Sequence, residues 1–508
     1  MNFFTNVLKH ASQSVVSGLV GAIGSFAASI IIARLLGVEG TATVAMALWL
    51  VFLTTTLADL GISGTLARFA AECPHDDEEA AARLIAGYMI RLFLLAIAGG
   101  LVLTAGILWF YWNDILAKYA SGPGQAYAFC ALVLVCFVIH MLYAFAYQFL
   151  RGIRAFRSIT LYSLIGTVLQ IGGAVGGSLL YGANGGFVGY IVFSVPMILG
   201  LSKVRWVGRV APPAEAPAIR RYAASFYLAS LFSPLLWVRA DTLIVDQMVG
   251  AEAVGLFTAA GTIAALLLQI CMMICNALLP NIVHAAANQS TDFAEASRSA
   301  VRLALSLLLP ACLIAAVAAP EAVTALYGQA FAGGRLAASI LCLAGLGSAL
   351  TLAVGSVLNA GDHNSTLARN GIIGAVLTIA CGVALAAYLG LVGAALGRLI
   401  AQGIVGLLNA RSANRKVPGL VTWGWMTRIM LAGGVGALVT EALGWWLGEG
   451  LAILLLSLAA GGVAYLVAAA LLLPLGEDQR ARLRPGAARL PAPLRGMAAW
   501  LLRPASGQ

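Results

Sequence analysis

Three arginines, Arg34, Arg239 and Arg398, stand inside stretches that are otherwise almost free of charge. A guanidinium stays protonated and grips a phosphate or pyrophosphate through paired N–H donors. Burying such a cation in hydrocarbon costs at least about 2.5–3.5 kcal/mol. Each therefore needs an anion, a wet cavity or a route to the headgroups. Arg34 lies near the end of its stretch and can snorkel. Arg398 lies roughly 10 Å in and Arg239 roughly 15 Å in, at 1.5 Å per residue. Facing one cavity, the three would form a cationic site for a pyrophosphate headgroup. Asp241 and Asp246 share a stretch with Arg239. Asp246 falls on the same helical face as Arg239 and Asp241 on another. With Asp59 they are candidates for cation coupling or for ion pairing, and a structural salt bridge at Arg239 is the alternative. Arg68, Arg83, Arg91, Arg151 and Arg154 lie between apolar stretches on one side, where they can gather an anionic headgroup first.

Other chemistries are missing. No lysine follows a glycine, so there is no phosphate-binding loop for a nucleotide. There is no HExxH zinc motif and no GxSxG nucleophile elbow. Seven of the eight cysteines lie in apolar stretches and read as small hydrophobes. Cys271 and Cys275 are one turn apart, with no further ligand nearby to complete a metal site. The acidic run Asp76-Asp77-Glu78-Glu79 reads as a solvated loop balanced by Arg68 and Arg83. The expectation is a protein that is no enzyme and uses neither cofactor nor metal.

The elements that position these residues follow from composition. The chain has 508 residues, of which 61% are hydrophobic and 10% charged. Soluble domains carry about a quarter charged residues, so lipid must be the solvent for most of this chain. The expected fold is all-α and polytopic, with fourteen apolar runs: 14–36, 41–62, 87–111, 124–150, 156–180, 183–202, 222–249, 254–279, 299–320, 335–358, 367–389, 391–410, 424–446 and 450–474. Continuous rather than alternating apolar residues exclude a β-barrel. The first run lacks a cleavage site and is expected to remain as a span. With the N-terminus inside, 25 of the 30 Lys and Arg fall in inside segments, and only Lys118 and Arg335 lie in outside loops. This bias sets both termini in the cytoplasm. It also explains the net charge of +10 without nucleic acid.

An internal repeat divides the chain. The turn Leu36-Gly37-Val38-Glu39-Gly40 recurs 213 residues later as Val249-Gly250-Ala251-Glu252-Ala253. The pair Gly185 and Gly189 recurs 208 residues later as Gly393 and Gly397. Six spans is an even number, so two six-helix lobes (1–202 and 222–410) would run parallel. A basic, proline-rich linker (203–221) joins them. Two further spans (411–475) and a basic tail (476–508) follow. Two such lobes can rock about a central cleft, and Gly172-Gly173 and Pro310 are candidate bends. Gln170, Gln269 and Asn276 read as interhelical hydrogen-bonding residues.

Several segments carry a family resemblance. Residues Ala33 to Gly40 (ARLLGVEG), Leu57 to Ile62 (LADLGI) and Ala67-Arg68-Phe69 resemble the opening of the polysaccharide-lipid flippases. These belong to the multidrug/oligosaccharidyl-lipid/polysaccharide (MOP) exporter superfamily. Arg239 to Val245, Val249 to Ala260 and Leu279-Pro280 resemble the start of its second lobe. The likeness runs over about 5–475. It implies fourteen helices and alternating access. It also implies an undecaprenyl-pyrophosphate-linked oligosaccharide, exported for O-antigen, capsule or exopolysaccharide across the bacterial inner membrane. In several members a cationic lumen receives the substrate, a role that here would fall to Arg34, Arg239 and Arg398. Partners would be the lipid-linked oligosaccharide, membrane lipids, and the polysaccharide polymerase and chain-length machinery. Relatives often have Tyr where Phe257 stands. The drug-exporting branch often has an acidic residue in helix 1, and this chain has none there. A cation-coupled drug antiporter and a peptidoglycan-precursor flippase of the same fold are the alternatives, with a non-transporting membrane scaffold behind them.

Overall fold

A computed structural model describes residues 2–71, 78–203, 216–232, 240–287, 292–360 and 364–472, and not the side chains of 2–17, 71, 78–84, 203, 228–232, 276–287, 292, 360 and 364. Arg239, Cys73, the 76–79 run, the side chains of Arg83, Asn276, Leu279 and Pro280, and the tail lie outside this description. The described chain is helical, with no strand among the described residues.

Among the described residues, ten helices are long and apolar enough to cross a membrane. Three of them are pairs of spans. Asn2–Ala58 parts at Gly37 into α1 (2–36) and α2 (38–58). Phe156–Ile198 parts at Gly182 into α5 (156–181) and α6 (183–198). Asn364–Lys416 parts at Gly390 into α11 (364–389) and α12 (391–416). The other spans are α3 (Glu78–Phe110), α4 (Pro123–Gly152), α8 (Ala251–Ala287), α9 (Asp292–Tyr327), α10 (Arg335–Ala360), α13 (Trp423–Leu447) and α14 (Leu451–Leu472). The seventh, α7, is described in two pieces, Ala216–Phe232 and Ala240–Met248. The result is an all-α polytopic membrane protein of fourteen helices, as the sequence implies.

The breaks have a backbone cause. Gly37, Gly182 and Gly390 have φ of 67°, 61° and 55°, and Gly250, between α7 and α8, has 118°. Side chains rarely tolerate this left-handed region, and glycine does. Gly37 and Gly250 are 213 residues apart, and Gly182 and Gly390 are 208 apart. These are the offsets of the sequence repeat. The expected bends fall elsewhere than the actual breaks: Gly172-Gly173 and Pro310 keep helical backbone angles. Gly173 and Pro310 instead serve close packing. A Cβ on Gly173 would come within 3.0 Å of Gly189 Cα, and one on Gly433 within 3.1 Å of Pro310 Cα. Lipid offers no hydrophobic drive between helices, so close approach must supply the attraction. Helix α7 is described from Ala216, within the stretch read as a linker. Pro217 suits a first helical turn, whose N–H groups lack partners anyway.

The spans divide the molecule into two ends. One carries the turns 36–40, 181–183, 249–250, 389–391 and 448–450 and is termed the hairpin face. The other carries the N-terminus and is termed the tail face. The buried core differs between them. Near the hairpin face one cluster holds residues of both halves, among them Ile32, Leu50 and Phe129 with Val254, Phe257 and Phe331. Near the tail face there are two clusters. Phe93, Phe137, Phe145 and Phe149 form one, and Leu305, Leu308, Val354 and Leu358 belong to the other. Apart from the start of α7, the halves share a core at the hairpin face only. The first piece of α7 leans on the first half, with Ile219 in its core and the Tyr227 hydroxyl donating to Leu57 O at 2.8 Å.

Candidate functional site

The hairpin face closes through polar contacts between the halves. Arg34, at the end of α1, donates from Nε to Leu326 O (2.8 Å) and from Nη2 to Ala325 O (2.6 Å). These carbonyls end α9, where the helix dipole is negative and the last C=O groups lack partners. One turn below, the Ser29 and Tyr327 hydroxyls lie 3.0 Å apart. The short helix Trp112–Lys118 follows α3. It brings Lys118 Nζ to 3.1 Å from Asp246 Oδ2, and the Tyr119 hydroxyl donates to Asp246 Oδ1 at 2.6 Å. Burial and the Asp246 carboxylate raise the Tyr119 pKa, so the phenol remains a donor.

Within the second half, Arg398 on α12 donates from Nη1 to Asp241 Oδ2 on α7 at 2.9 Å. Asp241 is 3% exposed and Arg398 16% exposed. The Gln402 amide satisfies its neighbours when its oxygen accepts from Arg398 Nε (3.2 Å) and its nitrogen donates to Ala344 O (2.8 Å) and Ser348 Oγ (2.9 Å). A chain of polar groups thus joins α7, α12 and α10. The carboxylate and cation neutralise each other, which lowers the cost of burial. Asn370 Nδ2 and Asn409 Oδ1, 2.8 Å apart, tie α11 to α12 by the same means.

Toward the tail face the halves border a half-open cavity of about 260 Å³, lined chiefly by first-half residues: Ser25 on α1, Tyr143 and Tyr147 on α4, Ser163 on α5 and Phe193 on α6, with Gln269 on α8 of the second half. His140, Tyr143 and Tyr147 lie on one face of α4, with near-parallel neighbouring rings at 5.8 and 6.1 Å. Tyr143 also meets Phe193 at 5.8 Å.

The sequence-derived candidates thus separate. Arg34 lies in the hairpin-face closure, Arg398 pairs with Asp241, and Asp246 pairs with Lys118. Asp59 accepts from the Ser63 N–H (3.3 Å) and hydroxyl and caps the helix Ile62–Ala71. Burial pushes the Asp59 carboxyl above its ordinary pKa, with the Ser63 hydrogen bonds pulling the other way. Arg68 lies over the Tyr222 ring at 4.4 Å, joining that helix to α7. Arg91, Arg151 and Arg154 are exposed.

Residues 7–285, more than half the chain, match the family described as "Polysaccharide biosynthesis protein". The chain belongs to that family. No curated protein matches it at a significant level. In fold it is similar to the lipid II flippase MurJ in an inward closed conformation. The identity is 15% and the TM-score 0.70, over 91% of this chain and 98% of that one. It is also similar to an inward-facing multidrug resistance MATE family transporter of the MOP superfamily. Here the identity is 15% and the TM-score 0.66, over 79% of this chain and 95% of that one. An outward-facing MATE family transporter gives a TM-score of 0.55 at 15% identity, over 81% and 96%. The fold is therefore the one these transporters share.

For a member of this family, sequence reasoning missed Lys118 and Tyr119 as partners of Asp246, and the aromatic wall on α4. Lys118 is one of two basic residues in the expected outside loops, a signal that was available. The α4 aromatics sit at core-like helical spacing and gave none.

Proposed function

We propose that this protein is a flippase that moves an undecaprenyl-pyrophosphate-linked oligosaccharide from the inner to the outer leaflet of the bacterial cytoplasmic membrane. In this reading it works by alternating access, the hairpin face is outside, both termini are cytoplasmic, and the product feeds O-antigen, capsule or exopolysaccharide. It carries out no bond-making step, and a polymerase and chain-length machinery receive its cargo. The observation that carries the reading is the core, shared by both halves at the hairpin face and, but for the start of α7, split at the tail face. Such an arrangement lets the tail face part while the hairpin face stays shut, the first posture of a rocking transporter. Membership of a polysaccharide biosynthesis family supports the cargo class, and likeness to a lipid II flippase in fold supports a lipid-linked one.

The cationic residues enter this reading as groups that change partners. Arg34 and Arg398 are partnered in the present state, so a pyrophosphate would reach them by replacing the α9 carbonyls or Asp241. Arg239 would join them, with Arg68, Arg83, Arg91, Arg151 and Arg154 recruiting the headgroup at the cytoplasmic face. The MATE-like fold favours a second reading, a cation-coupled antiporter using Asp241 or Asp246.

The test is complementation of cells lacking the protein, at matched membrane levels. Wild type is expected to restore surface glycan, and Arg239→Ala and Arg398→Ala to leave the lipid-linked precursor inside. Full export by both variants would remove the arginines from the site. A deletion strain that exports normally but turns drug-sensitive would install the antiporter reading. Lethal loss with arrested cell-wall synthesis would install the peptidoglycan-precursor reading.

A further inference from the structure

The structure assigns the tail-face cavity, bounded by Tyr143, Tyr147, Phe193, Ser25, Ser163 and Gln269, as the subsite for the saccharide part of the cargo. This inference rests on the flippase reading and adds a location and a chemistry to it.

The cavity is the wrong place for a pyrophosphate. None of the described residues lining it carries a formal charge. The described intramembrane arginines are engaged at the hairpin face and within the second half. What the lining does offer is aromatic faces beside hydroxyl and amide groups. A sugar ring presents the complementary surface. Its C–H faces carry slight positive charge and seat on the negative faces of aromatic rings. Its hydroxyls both donate and accept, as do Ser, Tyr and Gln side chains. An acyl chain would leave those polar groups without partners.

One further observation points to a polar occupant. Ser25 and Gln170 are held only loosely, at 3.4–3.5 Å, so their hydrogen-bonding capacity is poorly used. At about 260 Å³ the space lies just below the ~300–1,000 Å³ of drug-sized pockets. It therefore suits the first ring or so of a glycan rather than a whole headgroup.

The full-length protein in lipid nanodiscs tests this by native mass spectrometry against two probes. One is undecaprenyl pyrophosphate. The other is the lipid-linked glycan extracted from cells lacking the protein. Wild type is expected to bind the glycan-bearing lipid about tenfold more tightly, a difference of about 1.4 kcal/mol. The double variant Tyr143→Ala/Tyr147→Ala should lose that tenfold advantage and bind the bare lipid as before. Tyr143→Phe/Tyr147→Phe, which keeps the rings, should retain most of it. Gly21→Leu guards against misfolding of the alanine variant. Its Cβ would meet nothing closer than Phe193 Cζ at 4.0 Å, and the added side chain fills the cavity from α1. It should abolish the same advantage. Equal loss for both probes, or loss for neither, overturns the saccharide assignment. If wild type binds both probes equally, the subsite falls and the flippase reading stands. If it binds neither, both fall.

Discussion

The two halves of this molecule share their turns but not their interiors. Gly37 and Gly250, and Gly182 and Gly390, put the same left-handed breaks at repeat-related places. Yet the first half faces an uncharged, aromatic-walled space that it shares with Gln269. The second half instead fills its interior with a closed chain from Asp241 through Arg398 and Gln402 to Ser348. A repeated backbone therefore fixes where helices bend without fixing what lies between them. One half is built to hold something else, and the other is occupied by its own charges.

The largest expected effect breaks the second interior. Arg398→Ala leaves the Asp241 carboxylate buried and unpaired, which should cost about 3–5 kcal/mol. Unfolding of the purified protein in detergent would read this loss. Replacing both partners by apolar residues, as in Asp241→Leu/Arg398→Met, should recover most of it. A single variant as stable as wild type would show that the pair does not hold that half together.

Next comes the seam between the halves. Asp246→Asn weakens the contacts to Lys118 and Tyr119 by about 1–3 kcal/mol. Its signature would be a higher rate of labelling at Ser29→Cys by a membrane-impermeant thiol reagent, with the eight native cysteines replaced. An unchanged rate would mean that the apolar core alone keeps the hairpin face shut.

A neighbouring pair of glycines gives a comparison within the first half. Gly173→Leu must push α5 away from α6 at Gly189, an overpacking cost of about 1–3 kcal/mol. Gly172→Leu has open space at its Cβ and should be near neutral. The smallest effects are single hydrogen bonds. Ser348→Ala should cost about 1 kcal/mol, and Gln170→Leu, with only a 3.4–3.5 Å partner, less than that. If Gln170→Leu costs more in thermal unfolding, the first interior is less open than its geometry indicates.

What the sequence made legible is what repeats along it. Apolar run length gives the spans, and Lys and Arg counts give their alternation. The offsets of 213 and 208 residues anticipate the positive-φ glycines, because glycine at a tight turn is a local requirement. Partner choice is different in kind. Asp241 and Arg398 are 157 residues apart, and Lys118 and Asp246 are 128 apart. Nothing local in the chain distinguishes Arg398 as the partner of Asp241 from the nearer Arg239. Bends were misplaced for a related reason. Pro310 and Gly173 look like weak points until the neighbouring helices that fill them are known.

Arg34 holds two backbone carbonyls of the other half, and this turns one side chain into a threshold. Parting the hairpin face strips the guanidinium of both acceptors and frees the end of α9 at the same moment. Arg34 is exposed, so its surroundings offset part of that loss, and the two bonds add to the shared apolar core in holding the face shut. Any visitor bearing its own negative oxygens alters the odds, because it offers the guanidinium somewhere else to go.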